Sequence, residues 1–298
     1  MPNDRLKSYL HLHLIVFIWG FTAVLGALIS IDALPLVWYR MLLASGFVWM
    51  YIYWKKFDLR VSRRTLIGFV LAGIVIAVHW LTFFMAIKVS NVSITLAMMS
   101  TGALFAAIIE PFYYKRAIIW YEIVLGLLVM IGLFIIFRVE GDYTFGIILA
   151  LISAFLSALF SMINGKFAQV HRPSVISFYE LLSGFLFLTL FLIVTGGFDV
   201  AFFQLSSSDW IYMLILASVC TGYAFIASVH VMKFLTPYTV MLTINLEPVY
   251  GILLAFFVFG EQEKMSSEFY LGALLILSTV LANGILKNLK KIKSSSRS

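Results

Sequence analysis

Residues 65–87 read TLIGFVLAGIVIAVHWLTFFMAI, 23 positions without one Asp, Glu, Lys or Arg. Wound as an α-helix at 1.5 Å per residue, this run reaches about 34 Å, enough to cross a hydrocarbon core about 30 Å thick. In lipid every backbone amide must be paired within its own segment or within a closed barrel, and barrel strands are shorter and alternate in polarity. The run is therefore read as a membrane-spanning helix. Nine more runs of the same kind lie near residues 9–29, 35–54, 92–114, 120–137, 145–165, 174–195, 210–232, 237–259 and 269–286. Between them are mostly short polar, Pro- or Gly-bearing turns, so the fold class is all-α integral membrane with ten transmembrane helices.

Composition agrees. The chain is 62% hydrophobic and 12% charged with mean hydropathy +1.03, outside the globular range. Its net charge of +7 does not gather into one patch for a nucleic acid, because the basic residues recur between apolar runs. With the N-terminus inside, 17 of the 21 Lys and Arg fall in inner segments, Lys88, Arg138 and Lys264 in outer turns, and Arg40 within a span. That bias places both termini in the cytoplasm of a plasma membrane, a bacterial inner membrane being the natural setting. The first run follows Arg5 and Lys7 but is longer than the ~7–15 residue core of a signal peptide, so it is read as a retained helix. Cys220 is the sole cysteine and leaves neither a disulfide nor a thiolate metal site.

The chain also repeats itself. Leu43-Ala44-Ser45-Gly46-Phe47 in the second span returns as Leu181-Leu182-Ser183-Gly184-Phe185 in the seventh, with Tyr39-Arg40 upstream answering Tyr179-Glu180. Ser93 to Gly126 lies against Thr239 to Gly272 at a spacing of 146. Five spans are an odd number, so the second copy must enter from the opposite face, giving two inverted five-helix repeats, 1–138 and 139–298, the second with a basic cytoplasmic tail.

Trp19-Gly20, Leu246-Glu247-Pro248, Phe259-Gly260-Glu261 and Leu271-Gly272-Ala273-Leu274, in this order along the chain, resemble the drug/metabolite transporter superfamily, specifically its ten-helix EamA-type exporters. The resemblance covers nearly the whole chain and implies export of amino acids or other small metabolites. The first half departs from the pattern: Tyr114-Lys115-Arg116 stands where a Gly-Glu pair is usual, and Glu110-Pro111 falls beyond the place that aligns with Glu247-Pro248.

Several residues are candidates for the solute pathway. Glu247 lies about ten residues, or about 15 Å, into the ninth span, where an ionised carboxylate costs at least about 2.5 kcal/mol. It is either a proton carrier or, with Pro248, a hinge partner at an interrupted hydrogen-bond ladder. Trp19, His79 and Trp80 are deep, whereas Trp49, Trp54, Trp120 and Trp210 stand at span ends where interfacial belts explain them. A mid-membrane pocket lined by Trp, Tyr and His would suit an apolar or aromatic solute, and Tyr223, Asn164, Thr221 and Asn245 are polar residues able to join it or simply to bond between helices. Arg40 and Glu180 are intramembrane charges about 8–9 Å from opposite faces, too far apart to pair. Arg40 has an ordinary explanation, its long stem carrying the guanidinium to the outer interface, while Glu180 needs a partner or a wet cavity. Gly20, Gly68, Gly73, Gly126, Gly132 and Gly272 read as close helix packing.

No phosphate loop is present, so transport must run on a gradient or as exchange. No cofactor, metal or catalytic set is expected: neither His-Glu-x-x-His nor Gly-x-Ser-x-Gly occurs, which argues against a membrane-embedded enzyme. An inverted repeat in one chain favours alternating access over a channel. A carrier of anionic or nucleotide-sugar metabolites would need several cations inside, and only Arg40 lies well within a span. The expected partners are a neutral, zwitterionic or aromatic small-molecule solute, the lipid bilayer and a coupling proton.

Overall fold

The computed structural model describes residues 2–115, 120–235, 237–244 and 246–295. These residues form helices, and seven helical stretches are long and apolar enough to cross a membrane: Leu6–Leu28, Ala33–Lys55, Arg63–Val89, Val92–Tyr113, Gly141–Val170, Pro173–Thr195 and Ser207–Val231. Three further segments complete the ten spans expected from sequence. They are α6 (Trp120–Val139), the pair α11 (Pro237–Ile244) and α12 (Glu247–Phe259), and α13 (Ser267–Ser295). The continuous spans of the first half are α1 (Pro2–Leu28), α2 (Ala33–Lys55) and α3 (Arg63–Val89). In the second half α7 (Thr144–Val170) and α8 (Pro173–Thr195) are continuous.

The fourth and ninth spans are both broken, and at equivalent places. The fourth divides into α4 (Val92–Met99) and α5 (Gly102–Tyr114), eight and 13 residues; α11 and α12 are eight and 13 residues too. In the ninth span the break puts Pro248 in the first turn of α12, where its missing N–H is no loss. The fourth span breaks without proline. Ser100 Oγ donates to Leu96 O and Thr101 Oγ1 to Met98 O at 2.7 Å, hydroxyls that compete for the carbonyls of the preceding turn and bend a helix. Pro111, by contrast, stays inside α5. The eighth span carries a different irregularity: α9 (Ser207–Ala217) and α10 (Ala224–Val231) are joined by a π-helical stretch, Ser218–Tyr223.

Helices approach most closely where neither side bears a Cβ. A Cβ added to Gly73 of α3 would overlap the Glu180 carbonyl of α8 and stand 2.9 Å from Ser183 Cβ, and one added to Gly184 would stand 2.8 Å from Gly73 O. The fifth and tenth spans meet the same way, Gly132 against Gly272 O at 2.9 Å.

At one end of the bundle the two halves are tied by second-half carboxylates on first-half backbone. Asp209 accepts from Ser30 N at 2.6 Å and from Ser30 Oγ at 2.7 Å. Glu263 accepts from Val92 N at 3.0 Å and Ser93 N at 2.9 Å, so it caps α4 from the other half. Lys88 Nζ donates to Ile29 O at the same end. Asp209 also closes a capping box with Ser206 at the start of α9, which fixes its carboxylate in place.

Candidate functional site

The site is built where α1, α2, α3, α7, α10 and the broken ninth span converge. Arg40 on α2 is its most consequential side chain, only 2% exposed. Its Nε donates to Thr221 Oγ1 at 2.7 Å, and its guanidinium carbon lies 3.8 Å from the centre of the Trp80 ring. The π-helical stretch brings Thr221 to this spot, and Thr221 Oγ1 in turn donates to Leu216 O. The expectation that Arg40 reaches the outer interface is thus corrected. The stem is held inward because a hydroxyl and an indole face satisfy its charge within the protein. One nitrogen, Nη1, is buried without a hydrogen-bond partner.

Arg40 opens on a cavity of about 70 Å³, lined also by Trp19, Thr22, His79, Trp80 and Glu247, by three serines, and by apolar side chains that include Phe83, Phe160 and Phe225. Glu247, the first residue of α12, is part of the same wall. Among the described residues no N···O contact within 4.0 Å joins Arg40 to Glu247, so a guanidinium and a carboxyl group line one chamber without pairing directly. Trp19 donates its indole N–H to Cys220 O at 3.2 Å. His79 is locked by Ser153 of α7, whose carbonyl and hydroxyl lie 2.9 and 2.8 Å from Nδ1.

Of the residues singled out from sequence, Trp19, His79, Trp80, Glu247 and Arg40 come together here, and Thr221 positions Arg40 from behind. Pro248 follows Glu247 in α12 without lining the chamber, and Tyr223, Asn164 and Glu180 lie elsewhere. Tyr223 is 45% exposed and bonds His11 Nε2 through its hydroxyl at 2.9 Å, in a larger open groove of about 710 Å³. That groove also has Arg172 and Lys233 in its wall and lies toward the end opposite the Asp209 and Glu263 ties. Asn164 and Glu180 are buried together between α7 and α8. Asn245 lies outside the described residues. Sequence reasoning missed Thr22, Ser157, Ser161 and Ser228, small hydroxyls in the chamber wall that nothing in an apolar helix marks out.

Known proteins share this architecture. The sequence model of the EamA-like transporter family matches twice, over residues 6–138 and 144–284. A protein of Archaeoglobus fulgidus described as an uncharacterized transporter is 23% identical over 264 residues, covering 86% of this chain and 90% of its own. A second protein of the same organism and description is 25% identical over 152 residues, 51% of this chain and 52% of its own. A solved crystal structure superposes with a TM-score of 0.69 at 17% identity, covering 95% of this chain and 98% of that one, which speaks for the fold. Spans, twofold match and relatives converge: this multi-pass membrane transporter belongs to the EamA-like transporter family.

Proposed function

We propose that the chain is a secondary-active exporter of amino acids or similarly small zwitterionic metabolites, working by alternating access between two inverted repeats, 1–138 and 139–298. The observation that carries this reading is that Arg40, whose Nη1 has no hydrogen-bond partner, and Glu247 line one chamber without an ion pair between them. A carboxylate on the solute would complete the guanidinium, an ammonium would meet Glu247, and the aromatic wall would take a short apolar side chain. The chamber's volume of about 70 Å³ favours a small amino acid in this conformation. One fixed cation and one carboxylate are a poor match to a nucleotide sugar, whose phosphates call for several cations.

Alternating access then assigns the other features. Asp209 and Glu263 seal the extracellular end in the state described, and the break before Glu247-Pro248, mirrored at Ser100-Thr101, supplies the hinges. Both termini lie in the cytoplasm and the membrane is the plasma membrane, as the distribution of Lys and Arg argues. The test is uptake and efflux by purified protein in liposomes against a panel from L-alanine and L-serine to L-phenylalanine, each beside its decarboxylated amine. Transport of amino acids and not of the amines is expected. Equal transport of both, or none of the panel with transport of phosphorylated solutes instead, would overturn the solute class.

A further inference from the structure

Away from the chamber, two polar side chains are fully buried against each other and only half satisfied. Asn164 on α7 and Glu180 on α8 each have no solvent exposure. Asn164 Nδ2–H donates to Glu180 Oε1 at 3.0 Å. The remaining oxygens of the same two groups, Asn164 Oδ1 and Glu180 Oε2, are buried and have no partner. An ionised carboxylate beside an amide carbonyl leaves two acceptors with nothing to accept, a costly arrangement in a place without water. A hydrogen on Oε2 supplies the donor that both oxygens lack, and a bond from it to Oδ1 would close an amide–acid ring. We propose that Glu180, paired with Asn164, is the proton-binding site of the transport cycle, separate from the solute chamber.

The surroundings favour a proton over a metal ion or an ion pair. Among the described residues no basic group lies within 4.0 Å of Glu180. The titratable and charged groups on the elements packed around it are engaged elsewhere. On α3, His79 is bonded to Ser153; on α2, Arg40 is bonded to Thr221; on α7, Lys166 stands 3.9 Å over the Tyr113 ring. Tyr179 on α8 donates to Leu59 O, and His230 on α10 lies in the open groove. A sodium or larger cation needs five or more oxygens, whereas a proton needs one donor and one acceptor, which is what Glu180 and Asn164 offer. Ser177, one turn toward the Arg172 end of α8, is likewise buried with an unpartnered hydroxyl and is suited to pass the proton toward water.

The site is also placed to sense the transport step. The Glu180 backbone carbonyl is the point where α8 presses on Gly73 of α3, and two turns further along α3 carries His79 and Trp80 into the chamber. When α8 and α7 separate in another state of the cycle, the ring opens and Glu180 meets water. The acid's O–H bond then breaks, the proton leaves to water and the electron pair stays on the carboxylate. Rebinding from water on the other side completes the circuit with no other reactant.

The decisive experiment needs no solute. Infrared difference spectra of the full-length protein in liposomes, taken as the pH is raised, should show loss of a protonated-carboxyl C=O band. The band should be absent in Glu180→Gln, present in Glu247→Gln, and shifted in Asn164→Leu, which removes its hydrogen bond. Glu180→Gln is expected to fold, because an amide–amide ring satisfies the same four atoms. In parallel, accumulation of L-alanine driven by a pH gradient should fall to the equilibrium level in Glu180→Gln while L-alanine exchange persists. An unchanged band in Glu180→Gln, its loss in Glu247→Gln instead, or a band that responds to sodium at constant pH would each overturn the proposal. If L-alanine is not carried, the solute reading fails while the spectra still decide the proton site.

Discussion

Replacing Asp209 by Asn tests whether the carboxylate ties between halves hold the chamber shut. Asp209 uses both oxygens across the interface, one for Ser30 N at 2.6 Å and one for Ser30 Oγ at 2.7 Å. Asn offers one acceptor oxygen and one amide that donates, so at least one of these bonds is lost and the charge behind the other is gone. A hydrogen bond to a charged group contributes about 1.5–3 kcal/mol, which corresponds to about a 10- to 150-fold change in the ratio of sealed to open protein. The part of Asp209 in the capping box is a smaller matter, since an Asn oxygen at N3 can still accept from Ser206 N. The assay places a cysteine at Thr22, 5% exposed in the chamber wall, in a Cys220→Ser background and follows alkylation by a membrane-impermeant maleimide. Where opening is fast compared with alkylation, the rate tracks the open population. It should rise by about tenfold or more in Asp209→Asn, for the lower end of that bond strength. A rate within twofold of the parent, with thermal stability unchanged, would refute the argument that this tie holds the seal.

Four further outcomes are expected. Arg40→Met should weaken amino-acid binding in detergent by about 150-fold, the loss of about 3 kcal/mol from a two-pronged charge-assisted contact, and leave the amine analogue unaffected; equal losses for both would place the carboxylate elsewhere. Trp80→Leu removes the face on which Arg40 rests at 3.8 Å and should cost about 30-fold in amino-acid affinity, for a desolvated cation–π contact of about 2 kcal/mol, measured by the same titration. Gly73→Val meets backbone and Ser183 Cβ rather than a yielding side chain, so it should destabilise the protein by about 1–3 kcal/mol, read as a lowered thermal midpoint in detergent. A cysteine at Ser295 should stay unlabelled by impermeant reagent in intact cells and react once the membrane is permeabilised; labelling from outside would reverse the orientation.

The spans were legible because each is long, apolar and nearly free of charge, a signal that survives ignorance of every contact. The facing of side chains was not. Helices apolar all round carry no moment to say which side meets protein. Arg40 shows the consequence. Its depth was readable from its place in the run, but its inward turn depends on Thr221 and Trp80, which lie on other helices. Tyr223 shows another. The π-helical stretch at Ser218–Tyr223 widens the turn, so an ordinary 3.6-residue count puts the far end of the stretch on the wrong face, and Tyr223 stands beside His11 rather than in the chamber. The break at Ser100-Thr101 left no trace that pattern reading could use, because hydroxyl back-bonding is invisible without coordinates, whereas Pro248 announced its counterpart.

The matched lengths of the broken spans bear on how the protein is made. Pieces of eight and 13 residues extend about 12 and 20 Å, so neither alone reaches across a bilayer core of about 30 Å. At each junction the ladder tightens, Thr101 N turning to Met98 O and Leu246 N to Thr243 O. The start of the fourth span, meanwhile, waits for a late partner: Glu263, which accepts from Val92 N and Ser93 N, is translated 170 residues after Ser93. Until then the start of α4 has only its local cap, Asn91 Oδ1 on Ile94 N at 2.8 Å, so a chain truncated before Glu263 presents quality-control proteases with a half-capped helix far upstream of the truncation.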